Sequence, residues 1–126
     1  MNEEHDKMYK EHIMELYKSP ANYGKIENPT HEHTETNSSC GDEVTMQFSV
    51  KDGKIAEVKF HGSGCVMSIV SSSILTDKLK GMKVSEALKL SKEDILKLLK
   101  IEVNPARLKC VTLCLYATKN SLNKDA

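Results

Sequence analysis

Val44-Thr45-Met46-Gln47-Phe48-Ser49-Val50-Lys51-Asp52-Gly53-Lys54-Ile55-Ala56-Glu57-Val58-Lys59-Phe60 reads as two strands joined by a tight turn. From Val44 to Val50 apolar and polar residues alternate, which is the period of a strand with one face buried. Asp52-Gly53 is a favoured pair for the turn of a hairpin. Ile55, Val58 and Phe60 then return along a second strand. An antiparallel hairpin with one buried face is the expectation.

Helical patterns lie on both sides of it. Within residues 4–18, Met8, Tyr9, Ile13, Met14, Leu16 and Tyr17 recur near helical spacing, and Pro20 and Gly24 end the run. Residues 19–30 form a loop with two prolines, and His31 to Asn37 is polar enough to be an edge strand with little to bury. After Gly62-Ser63-Gly64, a helix is predicted to open at Cys65 and run to about Lys80, with Gly81 as its cap. Ser71-Ser72-Ser73 inside it suggests close packing against another element. A short helical turn at Val84–Leu88, an N-cap at Ser91 before Ile95, Leu98 and Leu99, and a last helix from about Cys110 to Leu122 complete the chain. The fold class is α+β: a small antiparallel sheet of about three strands with helices packed on one face, a single domain over residues 1–126.

Composition narrows the function classes. Eighteen basic and eighteen acidic residues cancel, so no global field draws the chain to nucleic acid or to an anionic membrane. No apolar run approaches the roughly 20 residues of a membrane span. The polar N-terminus has no secretory h-region, so the cytoplasm is the expected location. There thiols stay reduced, and the four cysteines read first as ligands or catalytic groups. For any single cysteine a small buried hydrophobe is the competing reading.

Cys40 and Asp42 stand at the entry to the hairpin and Cys65 at its exit, so folding the hairpin brings them to one end of the sheet. Cys110, at the start of the last helix, is able to close the group. Three thiolates and one carboxylate are a sensible four-coordinate set for zinc or an iron–sulfur unit. Thiolate is the binding and reactive form, and a helix N-terminus favours it. Arg107, the only arginine, and Lys109 add fixed cations beside Cys110. Cys40 has the negative Asp42 beside it instead. Spacing alone, with no C-x-x-C pair, leaves both a shared metal site and scattered structural cysteines open. Cys114 reads as a core cysteine on the face of Cys110, His31 and His33 as solvated surface residues, and His61 as a strand-end residue rather than an auxiliary ligand. The lysine-rich segment 92–100 is most simply a solvated face.

Three motifs in order, Ser39-Cys40-Gly41-Asp42, then Gly62-Ser63-Gly64-Cys65 with Ser71-Ser72-Ser73 and Thr76-Asp77, then Pro105-Ala106-Arg107-Leu108-Lys109-Cys110, resemble the IscU/SufU/NifU-type iron–sulfur scaffold family. Tyr9, Tyr17, Pro20, Asn22 and Gly24 look like that family's first helix and loop. The resemblance implies a site of Cys40, Asp42, Cys65 and Cys110, holding a [2Fe-2S] cluster or iron, or alternatively zinc. It also implies a pyridoxal-phosphate cysteine desulfurase as sulfur donor and apo iron–sulfur proteins as clients; a homodimer is left open. Cys110 and Cys40 are the candidate persulfide acceptors, with Arg107 and Lys109 assisting. The IscU branch usually has a histidine where Lys109 stands, and a Leu-Pro-Pro-Val-Lys motif where this chain has Val103-Asn104-Pro105-Ala106-Arg107. Arg107, Lys109 and Gly64 look more like the SufU branch, yet the 44 residues between Cys65 and Cys110 leave no room for that branch's usual insertion. Three functions follow: a cluster scaffold, a zinc-dependent sulfur acceptor, or a structural zinc domain.

Overall fold

The computed structural model describes residues 3–38, 41–100 and 103–123, with the side chains of 3–9 left aside. Cys40 lies outside the described residues. The elements are α1 (Glu3–Lys18), β1 (His31–Asn37), β2 (Asp42–Lys51), β3 (Lys54–Ser63), α2 (Val66–Leu79), α3 (Val84–Ala87), α4 (Lys92–Leu99) and α5 (Leu108–Leu122), with a 3-10 turn at Pro105–Arg107 before α5.

The hairpin is present, and its turn follows from its residues: Asp52 and Gly53 both take positive φ, 52° and 75°, as a type I′ turn requires. The sheet is antiparallel with order β1-β2-β3. Period two then sorts the side chains. Val44, Met46 and Phe48 on β2 and Val58 and Phe60 on β3 are fully buried and pack in one core with Val70, Leu75 and Leu79 of α2 and Val111 and Leu115 of α5. Asp42 shares the phase of Val44 and Met46, so it too faces the helices.

Two expectations are revised. β2 buries both faces at its middle, because Thr45 and Gln47 are also covered (5% and 6% exposed). The loop before β1 closes that second face: the Gln47 carbonyl Oε1 accepts the Ile26 N–H at 2.7 Å and its Nε2 donates to Glu32 at 2.7 Å. β1 is the edge strand, but it does have something to bury. Its alternate residues His31, His33, Glu35 and Asn37 are half-covered, and Asn120 of α5 donates to Glu35.

The serine run of α2 packs closely, as its small side chains suggest. Ser71, Ser72 and Ser73 are buried, and their hydroxyls donate to carbonyls of their own helix, while Ser71 Oγ also faces the Cys114 thiol of α5. α4 opens on a capping box: Ser91 Oγ accepts the Asp94 N–H and the Asp94 carboxylate accepts the Ser91 N–H. These bonds hold the Asp94 carboxyl below its ordinary pKa. Among the described residues, no helix is long and apolar enough to cross a membrane.

Candidate metal centre

β2 begins at Asp42, β3 ends at Ser63, and Glu43 pairs with Ser63, so the hairpin's entry and exit do meet. The strand leaves the sheet through Gly62, whose φ is +148°. A β-carbon there would stand 2.1 Å from the Glu43 carbonyl oxygen, a separation no side chain tolerates. Two residues on, a β-carbon on Gly64 would fall 2.8 Å from Asp42 Oδ1. Bare glycines are what let the Cys65 backbone approach Asp42.

Cys65 is the N-cap of α2. Its N–H donates to Asp42 Oδ1 at 2.9 Å and its Sγ lies 3.7 Å from Oδ2. The carboxylate thus receives an amide at the positive end of the helix. α5 supplies the third group. It starts at Leu108, earlier than the sequence suggests, because Pro105 initiates a 3-10 turn capped by Asn104 that leads straight into the helix. Cys110 is therefore the third residue of α5, still within the first turn.

One donor atom each from Asp42, Cys65 and Cys110 lies within 4.8 Å of the others. A tetrahedral ion with Zn–S bonds of about 2.3 Å sets its sulfur ligands roughly 3.8 Å apart. A contraction of about 1 Å accommodates one, and two thiols with a carboxylate suit zinc or iron. Among the described residues this is the one such group of three. The expected fourth ligand, Cys40, lies outside the described residues.

The site is graded in exposure. Asp42 and Cys110 are buried, at 1% and 2%, whereas Cys65 is half-buried. Arg107 and Lys109 are exposed. Hollows flank the corner on both sides. One of about 430 Å³ lies between Glu35–Ser38 at the end of β1 and Leu108, Lys109 and Thr112 of α5. The other, about 580 Å³, lies between Tyr17, Lys18 and Tyr23 on one side and Gly62–Gly64 on the other.

Other sequence candidates fall elsewhere. His61 pairs with Thr45, on the sheet face away from the helices, so it does not join the ligands. His33 accompanies Glu35 at 2.9 Å and His31 contacts Thr30 at 2.8 Å. Cys114 is the core cysteine expected: 1% exposed, with its thiol directed at Ser71 Oγ, 3.8 Å away, and at the Val111 carbonyl, 3.6 Å away. Burial pushes its pKa from the ordinary 9.0 up to about 11. Above pH 9 the unfolded chain releases this proton before the folded chain does, so stability falls as pH rises toward 11. Cys114→Ala is expected to flatten urea midpoints over that range, and native Cys114 to resist alkylation at pH 8 until denatured; an unchanged pH profile in the variant contradicts this.

Residues 22–24 carry a positioning role that spacing did not reveal. Asn22, at φ 64°, donates through Nδ2 to Thr76 Oγ1 and Asp77 Oδ1, both at 2.9 Å. The Tyr23 hydroxyl donates to the Gly62 carbonyl at 3.0 Å, and its ring meets Phe60 edge-on at 5.2 Å. Backbone bonds Gly24 N–H to Phe60 O and Phe60 N–H to Asn22 O strap the loop along β3. No periodicity marks such contacts, since their partners are some 40 to 55 residues away.

A family model described as the NifU-like N terminal domain matches residues 8–124. An iron-sulfur cluster assembly scaffold protein IscU from Thermotoga maritima is 32% identical, covering 93% of this chain and 94% of that protein. The zinc-dependent sulfurtransferase SufU of Bacillus subtilis is 30% identical, covering 95% and 92%. Two Archaeoglobus fulgidus scaffold proteins named IscU 1 and IscU 2 are 36% identical over 88 residues, and that match spans 58% of their length. The crystal structure of a putative iron-sulfur cluster assembly scaffold protein for the SUF system from Fervidobacterium islandicum AW-1 superposes with a TM-score of 0.75 at 29% identity, over 87% of this chain and 93% of that one. With a family model matching nearly the whole chain and relatives at least 30% identical covered over most of their length, the chain belongs to the NifU-like N-terminal domain family, the IscU/SufU/NifU group of scaffold domains.

Proposed function

We propose that this protein is an iron–sulfur cluster assembly scaffold: it receives sulfur from a pyridoxal-phosphate cysteine desulfurase, assembles a [2Fe-2S] cluster on Cys40, Asp42, Cys65 and Cys110, and passes it to apo client proteins in the cytoplasm. The observation that carries this reading is the convergence of Asp42, Cys65 and Cys110 at one corner of the sheet. Scaffolding also needs release, and two features of the corner favour it. A carboxylate is a harder ligand than thiolate and holds iron less firmly. Cys65 is half-buried beside a hollow, so one edge of the cargo stays within reach of a client thiol.

Cys110 is the proposed sulfur acceptor. Its thiolate attacks the outer sulfur of the desulfurase persulfide, forming a new S–S bond while the desulfurase cysteine leaves as thiolate. Arg107 and Lys109, exposed within three residues, supply positive charge for that exchange. Because Cys110 is only 2% exposed, attack requires the first turn of α5 to part from β2. Mass-spectrometric mapping after a short reaction with desulfurase and cysteine is expected to find the extra sulfur on Cys110; label on Cys40 or Cys65 alone means that access outweighs the local charge.

A zinc-dependent sulfurtransferase is the second reading, favoured by the SufU relative and by Lys109 in place of a histidine. Anaerobic reconstitution with iron, cysteine and a desulfurase, followed by absorption spectroscopy and metal counting, separates the two. A brown protein with two irons per site supports the scaffold. A colourless, zinc-retaining protein that still accepts sulfur supports the transferase, and four alkylatable thiols indifferent to either metal refute both.

A further inference from the structure

Ser68 stands apart from the other hydroxyls of α2. It is 1% exposed, yet its Oγ has no hydrogen-bond partner among the described residues. Its neighbours have an outlet: Ser71 and Ser72 both donate to the Ser68 carbonyl, at 3.2 and 2.8 Å, and Ser73 donates to Ile69. That outlet is the carbonyl three or four residues back. For Ser68 those positions are Cys65 and Gly64. The Cys65 carbonyl already accepts the N–H groups of Ser68 and Ile69, at 3.1 and 3.2 Å, and Gly64 precedes the helix.

Side chains on a helix lean toward its N-terminus, so Ser68 leans toward the end that carries Cys65. The point above Gly64 locates it further. A β-carbon built there lies 2.8 Å from Asp42 Oδ1 and 3.2 Å from Ser68 Cβ, so the carboxylate and Ser68 border the same point. An unpartnered buried hydroxyl is destabilising. Here it stands at the edge of a group of metal-binding donors.

We propose that Ser68 is a positioning residue of the metal centre, its hydroxyl turning about χ1 to donate to the Asp42 carboxylate when Asp42 binds an ion. The inference rests on the metal-centre reading above. Metal-bound carboxylates are themselves hydrogen-bonded, and these outer partners fix the ligand's orientation. Asp42 Oδ1 already takes the Cys65 N–H, and a carboxylate offers roughly four lone-pair sites, enough for an amide, a hydroxyl and an ion together. Ser68 would thus be an orphan without metal and a partner with it.

Ser68→Ala in the full chain tests this. Without metal, its urea midpoint is expected to equal or exceed that of wild type, because an orphaned hydroxyl is removed. Zinc affinity, read by chelator competition, is expected to fall about 10-fold, the lower end of the cost of losing an outer partner. The visible bands of the cobalt-substituted protein are expected to shift as the carboxylate reorients. Ser72→Ala, which removes a hydroxyl bonded within the same helix, should leave affinity and spectrum as in wild type. A metal-free Ser68→Ala that is less stable than wild type, or one with wild-type affinity and spectrum, overturns the proposal, as does an equal change in Ser72→Ala. A wild-type chain that takes neither zinc nor cobalt overturns the metal-centre reading and this role with it; one that binds both normally while Ser68→Ala does the same overturns the role of Ser68 alone.

Discussion

Gly62→Ala is expected to cost about 3 kcal/mol or more of stability, enough to leave a domain of this size marginal or unfolded. Two independent penalties combine. At φ +148° an L side chain is strained even in open space. The added carbon would also sit 2.1 Å from the Glu43 carbonyl oxygen and 3.1 Å from Val44 Cα. Both obstacles are backbone of the paired strand, so neither is able to rotate away. Gly53→Ala provides the control: its φ is +75°, but none of the described residues lies within 4 Å of the new carbon. It should lose only the conformational part, about 1 kcal/mol. Urea denaturation of the two variants measures the difference, and equal losses would remove the steric argument.

The ligand corner yields the second large effect. Cys65→Ala removes a thiolate that no neighbour replaces, and zinc affinity is expected to drop well beyond the roughly 10- to 100-fold cost of losing an outer-shell partner. Asp42→Ala is expected to behave differently. It leaves a fold weakened by about 1 kcal/mol, because the Cys65 N–H loses its acceptor at 2.9 Å. A reconstituted cluster, however, should survive longer in air, since the labile oxygen ligand is gone. Absorbance decay after exposure to air reads the second effect and chelator competition the first. Faster bleaching of the Asp42→Ala cluster than of the wild-type one would assign Asp42 to holding the cluster rather than releasing it.

The fold was legible wherever one period governed a segment. The β2–β3 hairpin was read from its alternation because one face meets α2 and α5 along its length. The second buried face of β2 was hidden, since Thr45 and Gln47 are polar and are covered only by a loop that hydrogen-bonds to Gln47. β1 was read as burying little for a related reason: His33 and Glu35 are polar, and only α5 passing over the strand half-covers them. The site divides in the same way. Asp42 follows from the hairpin's entry and Cys65 from its exit. Cys110 arrives from the far end of the chain, where no local rule places it, and the motif around it was the only guide. The start of α5 moved because Pro105 and Asn104 form a helix start that the apolar pattern does not register.

The strap at residues 22–24 bears on where this chain tolerates shortening. Deleting α1 strips packing from the outer side of α2, a loss spread along a surface. A cut placed beyond Gly24 is of another kind. It withdraws two side-chain bonds from the outer end of α2 and two backbone bonds from β3, together with the tyrosine hydroxyl on Gly62. Those are the ties on either side of the bend that carries Cys65. A truncation series should therefore show a step between residues 18 and 25 rather than a slope, with thiol accessibility at Cys65 rising at the step.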